Sequence, residues 1–308
     1  MKNNPVVSII TINYNQSEAT NALLDSLAKA DAQPSFEVIV VDNASGNNDH
    51  QNIDTSHSFA ELVVSDINLG FAGGNNLGIR KAKGEFILLL NNDTEVEPDF
   101  LMPLIKKFRD DPSAGAVSPK IYFHHTPNML QFTGISEMNK YTTRNTGWGY
   151  GKMDEGQFDE DRESFFAHGA AMMVPRRVIE KVGMMAEIFF LYYEEMDWGQ
   201  RIRDAGYKIY YVHDSVIYHK ESLSTGRQSQ LKTFYMNRGR VIFIRRNVKG
   251  FNLLIACIYH NIISIPKNVI VFLLQGRFDL LKAYTKAMIW NLKNISNKEI
   301  HYNPSLKD

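Results

Sequence analysis

The 308-residue chain has a single cysteine, Cys257. An internal disulfide is excluded, and so is a zinc site built on cysteines. Such cysteine poverty suits a reducing compartment. The opening MKNNPVVSIITINYN offers one lysine and a short β-branched run, with no small-residue cleavage site, so no secretory leader is expected. The apolar stretch FNLLIACIYHNIISIPKNVIVFLL (251–274) is interrupted by His260, Pro266 and Lys267. It holds no uninterrupted window of about 18 apolar residues, so a spanning helix is not expected. Internal repeats and low-complexity tracts are lacking. Two nucleotide signatures are lacking as well. A dinucleotide fold places G-x-G-x-x-G directly after its first strand, where this chain has NYNQSEAT. A P-loop ends in Gly-Lys-Ser/Thr, whereas Gly78 is followed by Ile79 and Arg80.

The formal net charge is zero but unevenly spread. Residues 227–308 carry 14 Lys/Arg against 3 Asp/Glu, and the remainder carries 20 against 31. A basic C-terminal portion calls for an anionic neighbour: a membrane surface, a phosphate-bearing substrate or nucleic acid. Nucleic acid is not expected, because basic residues are not interleaved with aromatics in any repeat.

Apolar residues make up 44% of the chain and charged ones 22%, enough for one large domain or one domain with an appendage. VVSIITI (6–12) is too short for a globular helix and reads as a buried strand. Residues 17–30 read as a helix with Ser17 as N-cap and Leu23, Leu24 and Leu27 on one face. FEVIVVD (36–42), ELVVSD (61–66) and EFILLL (85–90) read as further strands. The segment NLGFAGGNNLG (68–78) reads as a glycine- and asparagine-rich loop leading into a short helix. This β-α-β-β-α-β order with near-continuous apolar strands predicts a mostly parallel sheet covered on both faces. Such sheets bind ligands at the carboxyl ends of their strands, where Asp42 and Asp93 fall.

Beyond the fourth strand the signals are less regular. Residues 141–164 read as a long polar loop of the kind used as a lid or binding loop. AHGAAMMVPRRVIEKVG (167–183) reads as a strand, then a helix opened near Pro175. YYEEMDWGQRIRDAG (192–206) reads as a helix closed by Gly206. YKIYYV and VIYHKES read as two strands, the second delivering His219. The division expected is a domain over 1–226 and a basic, apolar helical region over 227–308. That second region reads either as an interfacial helix pair, with Lys267, Arg277, Lys282, Lys286 and Lys293 at hand, or as a bundle packed on the first domain.

TINYN (11–15), VVDNASGN (40–47), NLGFAGGNNLG (68–78), NNDTEVEPDF (91–100) and FFLYYEEMDWGQRIRDAGY (189–207) occur in that order. Together they resemble the family 2 glycosyltransferases, inverting enzymes of the GT-A fold, and within them the rhamnosyltransferase-type branch of surface polysaccharide synthesis. The resemblance covers about residues 5–225. It implies a nucleotide-diphospho-sugar donor, dTDP- or UDP-linked, with rhamnose as the first candidate sugar. It also implies a divalent metal, Mg²⁺ or Mn²⁺, and a glycan or lipid-linked acceptor. The location expected is cytoplasmic, peripheral on the inner face of the cytoplasmic membrane.

Residue by residue, the resemblance puts Thr11 and Asn13 under the nucleotide base and has Asp42 accept a hydrogen bond from it. It lines base and ribose with Asn68, Gly73 and Asn75. It makes Asp93 the last acid of the metal-binding triplet and His219 the late histidine that joins the metal. Glu194 and Glu195 match the acidic pair whose second member is the base, although much of the family has Asp at that place. Asn91 and Asn92 depart from an all-acid triplet; an amide there can hold a ribose hydroxyl without adding charge.

The chemistry suits these residues. A nucleoside diphosphate gains charge as it leaves, and a divalent cation across the phosphates stabilises that charge. Mg²⁺ and Mn²⁺ take only one or two protein carboxylates when phosphates supply the rest, and a nitrogen ligand favours Mn²⁺ slightly. Asp93 alone would otherwise be a turn acid before Pro98. Inversion needs a base within reach of the acceptor hydroxyl. EEMDW supplies Glu194, Glu195 and Asp197, and Glu195 is the first choice with Asp197 in reserve. The plainer reading of these acids is stabilisation of a helix's first turn. Trp148, His168 and Trp198 are acceptor-side candidates, Trp198 being equally readable as core. Arg201 and Arg203 read either as diphosphate contacts or as a solvated helix face. Two other functions fit the residues less well: a nucleotidyltransferase, which typically has a basic glycine-rich loop after strand 1, and a non-catalytic sugar-nucleotide binding protein.

Overall fold

The computed structural model describes residues 4–30, 34–220 and 229–297. The expected division at 226/227 lies outside the described residues. One sheet of ten strands organises the chain. Its first half is β1 (Val7–Asn13), β2 (Phe36–Asn43), β3 (Ala60–Ser65) and β4 (Phe86–Leu90), ordered β3-β2-β1-β4 and all parallel. The second half holds β5 (Thr94–Val96), β6 (Ala114–Phe123), β7 (Leu130–Phe132), β8 (Arg162–Ser164), β9 (Ala171–Pro175) and β10 (Lys208–His219). There the pairing is mixed. β9 runs antiparallel between β4 and β6, β6 and β10 are parallel, and β5 pairs antiparallel with β10. The parallel reading of the strands thus holds for the N-terminal half.

Alternation along each strand feeds two cores. Val7, Ile9, Val38, Val40, Leu88 and Leu90 face α1 (Ser17–Ala28) and α3 (Leu101–Asp110). Ile10, Ile39, Val41, Ile87 and Leu89 face α2 (Gly70–Lys81), α4 (Arg176–Val182) and α5 (Glu194–Asp204). A strand buried on both faces reads as a near-continuous apolar run, and FILLL has no polar break.

Several local expectations change. The glycine-rich segment after β3 is helical from Gly70 onward and is not a loop. A Cβ on Gly78 would lie 2.4 Å from Ile10 Cγ2, and one on Gly74 2.9 Å from Ile12 Cδ1. These glycines let α2 press onto the sheet, the requirement that wins over their poor helix propensity. Ser17 is the first helical residue and caps nothing. Asp49, from the turn after β2, satisfies that helix end by accepting from the Ser17 N–H at 3.1 Å and the Ser17 hydroxyl at 2.7 Å. Residues 208–219 form one strand with an irregularity between Val212 and Val216.

The C-terminal helices are α6 (Gln230–Asn247), α7 (Gly250–Tyr259), α8 (Ile265–Leu274) and α9 (Phe278–Lys293). A π turn over His260–Ser264 joins α7 and α8 into one continuous helix. Pro266 lacks the N–H that would bond Ile262, and the wider turn just before it absorbs the fault. Residues 250–274 thus form one 25-residue helix, with a mean hydropathy of 1.4 over an 18-residue window, long and apolar enough to cross a membrane. This corrects the expectation of a broken pair of short helices.

Candidate active site

The loops at the carboxyl ends of β1, β2, β4 and β10 meet at a cavity of about 540 Å³, a size that takes a small organic ligand. The Asn91–Asn92–Asp93 turn follows β4 directly. β5 then pairs with β10 so that Thr94 stands opposite His219. The Lys220 N–H donates to the Asp93 carbonyl at 2.9 Å. This register brings Asp93 to the imidazole.

Asp93 Oδ1 lies 3.1 Å from His219 Nε2. His219 Nδ1 lies 2.8 Å from Gln131 Oε1; donation from Nδ1 leaves the lone pair of the neutral ring on Nε2. Asp93 Oδ1 is buried and accepts no hydrogen bond. Two acceptor atoms at this separation call for a shared cation or proton. Adjacent oxygen and nitrogen ligands of an octahedral ion about 2.1 Å away would stand about 3 Å apart, so the pair fits Mg²⁺ or Mn²⁺. The Asn91 amide nitrogen is 3.4 Å from the same Nε2. Among the described residues no group of three or more His, Cys, Asp or Glu gathers. A cation here would draw its other oxygens from phosphate or water.

Glu194 and Glu195 open α5 and border the same cavity. The three residues Phe190, Tyr192 and Tyr193 before them have φ of 64°, 65° and 77°. Side chains other than glycine adopt that region at a cost, and a run of it at a ligand cavity marks a functional turn. Burial pushes the Glu194 carboxyl well above the usual range, with the charge of Glu195 adding to it. Burial also raises Glu195. Glu194 Oε2 is buried with no hydrogen-bond partner, while Glu195 is half-buried. His168 borders the cavity too, and burial reinforced by the nearby His219 lowers it to about 3, which keeps it neutral.

Asn68, Asn75, Asn91 and Asn92 line the cavity. Asn75 spends its amide on the Phe71 carbonyl at 3.0 Å. Asn92 donates to Thr20 at 3.0 Å, whose hydroxyl donates to Asn13 at 2.9 Å. Asn13 in turn donates to Asp42 at 2.8 Å. Asn13 and Asp42 are register partners, and both are fully buried. They brace the floor, with Asp42 also accepting from the Ser45 N–H at 3.0 Å. Neither borders the cavity, and neither does Thr11 or Gly73; Ile12 and Asn43 do.

Asp197 is placed away from the cavity. Burial would raise its carboxyl, but Arg201 and Arg246 hold it below the ordinary range. Arg201 Nε donates to it at 3.0 Å, Arg246 Nε at 2.7 Å and Asn247 at 2.9 Å. It ties α5 to α6 and cannot serve as the reserve base, because its oxygens are committed to cations. Arg201 also caps the carbonyls of Val182 and Met184, and Arg203 pairs with Glu163 at 3.1 Å, so neither borders the cavity. Trp198 is fully buried and donates to the Gly183 carbonyl at 2.8 Å; it is core. Trp148 packs on Gly134 and the Arg162 guanidinium, and its neighbour Tyr150 borders the cavity instead.

Residues missed in the sequence complete the lining: Gln131 behind His219, Tyr192 in the strained turn, and Leu231 and Lys232 from α6. Among the described residues, Lys232 is the one Lys or Arg in the lining. Nothing in the local pattern of α6 marks it, since its place depends on packing.

Solved glycosyltransferases of the GT-A fold share the fold. A mannosyltransferase from Pyrobaculum calidifontis in complex with GDP-Man and Mn²⁺ aligns with a TM-score of 0.59 at 18% identity, over 95% of this chain and 76% of that one. GalNAc-T7 with UDP, GalNAc and Mn²⁺ aligns at 0.61 and 14%, over 80% of this chain and 48% of that one. The sequence model of glycosyl transferase family 2 matches residues 8–183, and the chain belongs to that family. It is 29% identical to the low-salt glycan biosynthesis hexosyltransferase Agl10 of Haloferax volcanii over 204 residues, 64% of this chain. The match spans 61% of that relative's length. It is 23% identical to the N-acetylglucosaminyl-diphospho-decaprenol L-rhamnosyltransferase of Mycobacterium tuberculosis, over 80% of this chain and 86% of that one.

Proposed function

We propose that the protein is a metal-dependent, inverting glycosyltransferase. It moves a sugar from a nucleotide-diphospho-sugar to a hydroxyl of a glycan or lipid-linked acceptor, on the cytoplasmic side, in surface polysaccharide synthesis. The observation that carries this reading is the Asp93–His219 pair at 3.1 Å, sharing one cavity with the raised carboxyl of Glu195. In this reading residues 1–226 carry the chemistry, and Leu231 and Lys232 complete the cavity from beyond that boundary.

Asp93 and His219 would hold a divalent cation, which stabilises the charge growing on the diphosphate. Lys232 adds a second positive charge to the same cavity. Asn68, Asn91 and Asn92 orient the nucleotide through neutral amides. Glu195 takes the proton of the acceptor hydroxyl as its oxygen bonds to the anomeric carbon. The bond from that carbon to the phosphate oxygen breaks, and the electron pair leaves with the nucleoside diphosphate. Attack on the face opposite the leaving group inverts the centre. A base with a pKa lifted toward neutrality retains more driving force for this step. Rhamnose is the first sugar to try, supported by the name of the M. tuberculosis relative, carried first on thymidine diphosphate and then on UDP.

Product analysis tests the reading. Release of nucleoside diphosphate with a glycosylated acceptor of inverted configuration is expected. Release of pyrophosphate would make it a nucleotidyltransferase instead, and binding of nucleotide-sugars without turnover would make it a binding protein.

A further inference from the structure

The helix over 250–274 is built inside out. Its inward row, Ala256, His260, Ser264 and Asn268, is small or polar, with Ala256, His260 and Ser264 buried. Its outward row, Phe251, Leu254, Ile258, Ile262, Ile270 and Leu274, is large and apolar, each 48% to 83% exposed. A helix on a water-soluble surface has the reverse arrangement. Thirteen of the twenty-one exposed large apolar side chains among the described residues fall within 250–297. That concentrates them in one patch instead of scattering them singly.

From this geometry we propose that residues 250–297 dock in the plane of an anionic phospholipid surface, with the 250–274 helix lying along it. Charge selects the partner. Over 250–297 five Lys/Arg stand against one acid, Asp279, which is engaged by Arg277 at 2.9 Å. Lys267, Lys282 and Lys286 are exposed. Such a region attracts an acidic bilayer and repels a second copy of itself. Packing selects the orientation. The inner side of the helix is held by α9, through Asn268 to the Tyr284 hydroxyl at 3.4 Å and Phe272 against the Tyr284 ring at 5.9 Å. α9 is held in turn by α6, through Asn291 to the Arg238 carbonyl at 3.4 Å. α6 is fixed to α5 by Arg246 and Asp197. To span the bilayer, the helix would leave these partners or drag Lys282, Lys286 and Asn291 into hydrocarbon, where polar groups are costly. In the plane, its apolar row is buried and Asn268 keeps its partner on α9. The docked layer then lies one helix away from Leu231 and Lys232, a fitting place to meet a lipid-linked acceptor.

Flotation of the full chain with vesicles tests this. Binding to vesicles of mixed anionic and neutral phospholipid is expected, weakened by salt and by replacing the anionic lipid. Ile262→Asp with Ile270→Asp should reduce partitioning at least ~10-fold, with an unchanged thermal midpoint because both side chains point outward. Lys267→Glu with Lys286→Glu should reduce anionic-vesicle binding to the level seen with neutral vesicles. Sugar transfer to a soluble acceptor should persist in both variants. Failure of the wild type to float with anionic vesicles would overturn the proposal. So would retention in vesicles after an alkaline carbonate wash, which would mean a spanning helix, or a dimer abolished by the Ile substitutions without vesicle binding. Docking without sugar transfer would remove the function proposed above and leave this surface standing; transfer without docking would remove this surface alone.

Discussion

Arg246 Nε reaches Asp197 Oδ1 at 2.7 Å, closing a buried ion pair between the acid-rich helix α5 and α6, which begins at Gln230. The Asp197 oxygens also take Arg201 and Asn247. Asp197→Ala would remove the carboxylate that faces two buried guanidinium groups. Breaking a buried pair typically costs about 3–5 kcal/mol. Thermal unfolding should show a large fall in midpoint, while the protein that remains folded keeps turnover near the parental value. A folded variant with its stability intact and its turnover abolished would return Asp197 to the list of bases.

Asp93→Ala should abolish metal-stimulated transfer. Gln131→Leu should act more gently: it frees the Nδ1 proton of His219 and should weaken metal affinity about 10- to 100-fold, the usual effect of losing an outer partner of a ligating histidine. Titration with Mn²⁺, followed by transfer rate and by thermal midpoint, checks both. Equal metal affinity in the Gln131 variant and wild type would detach Gln131 from the site.

Glu195→Gln should preserve donor binding and stop transfer. Because burial raises Glu195, kcat/KM should fall as pH drops through a value above the ordinary carboxylate range, as the base becomes protonated. Glu194 is the complementary case. Its raised carboxyl binds more protons folded than unfolded, so it lowers stability as pH rises from the ordinary Glu range through its folded value. Glu194→Gln should therefore raise the thermal midpoint at neutral and higher pH and leave it nearly unchanged at acidic pH. A midpoint lowered at neutral and higher pH but unchanged at acidic pH would mean that the charged form is stabilised instead.

Lys232→Ala should cut kcat/KM for the donor roughly 10- to 100-fold, with partial recovery in Lys232→Arg, as expected for a cation facing developing phosphate charge. Steady-state kinetics with a soluble acceptor measure it. Unchanged kinetics would leave Lys232 as a spectator of the cavity wall.

Gly78→Ala weighs two effects against each other. Alanine gains about 1 kcal/mol of helix propensity over glycine. Its Cβ would lie 2.4 Å from Ile10 Cγ2, and overpacking a full core costs about 1–3 kcal/mol. Net destabilisation is expected in chemical denaturation, and a stabilised variant would show that α2 can lift off the sheet.

The apolar runs at 6–12, 36–42 and 85–90 determine their own strands, because strands buried on both faces favour near-continuous apolar side chains. The polar residues that end them, Asn91 to Asp93 above all, necessarily fall at the carboxyl edge where ligands bind. Local pattern also marks the acidic opening of α5. It does not decide which acid faces the cavity, because neighbouring positions turn by about 100° around a helix and the outcome depends on what each one meets. Arg246 draws Asp197 inward, and the strained turn at Phe190–Tyr193 leaves Glu194 and Glu195 at the cavity. Likewise the glycines after β3 look like loop residues until Ile10 and Ile12 are seen beneath them. Asp93 has a partner only because β5 pairs with β10 and carries His219 alongside. Composition made 251–274 apolar; packing against α6 and α9 decided which face is turned outward. Short-range pattern fixes what a residue can bury, and long-range packing fixes which charges and lone pairs end up facing one another.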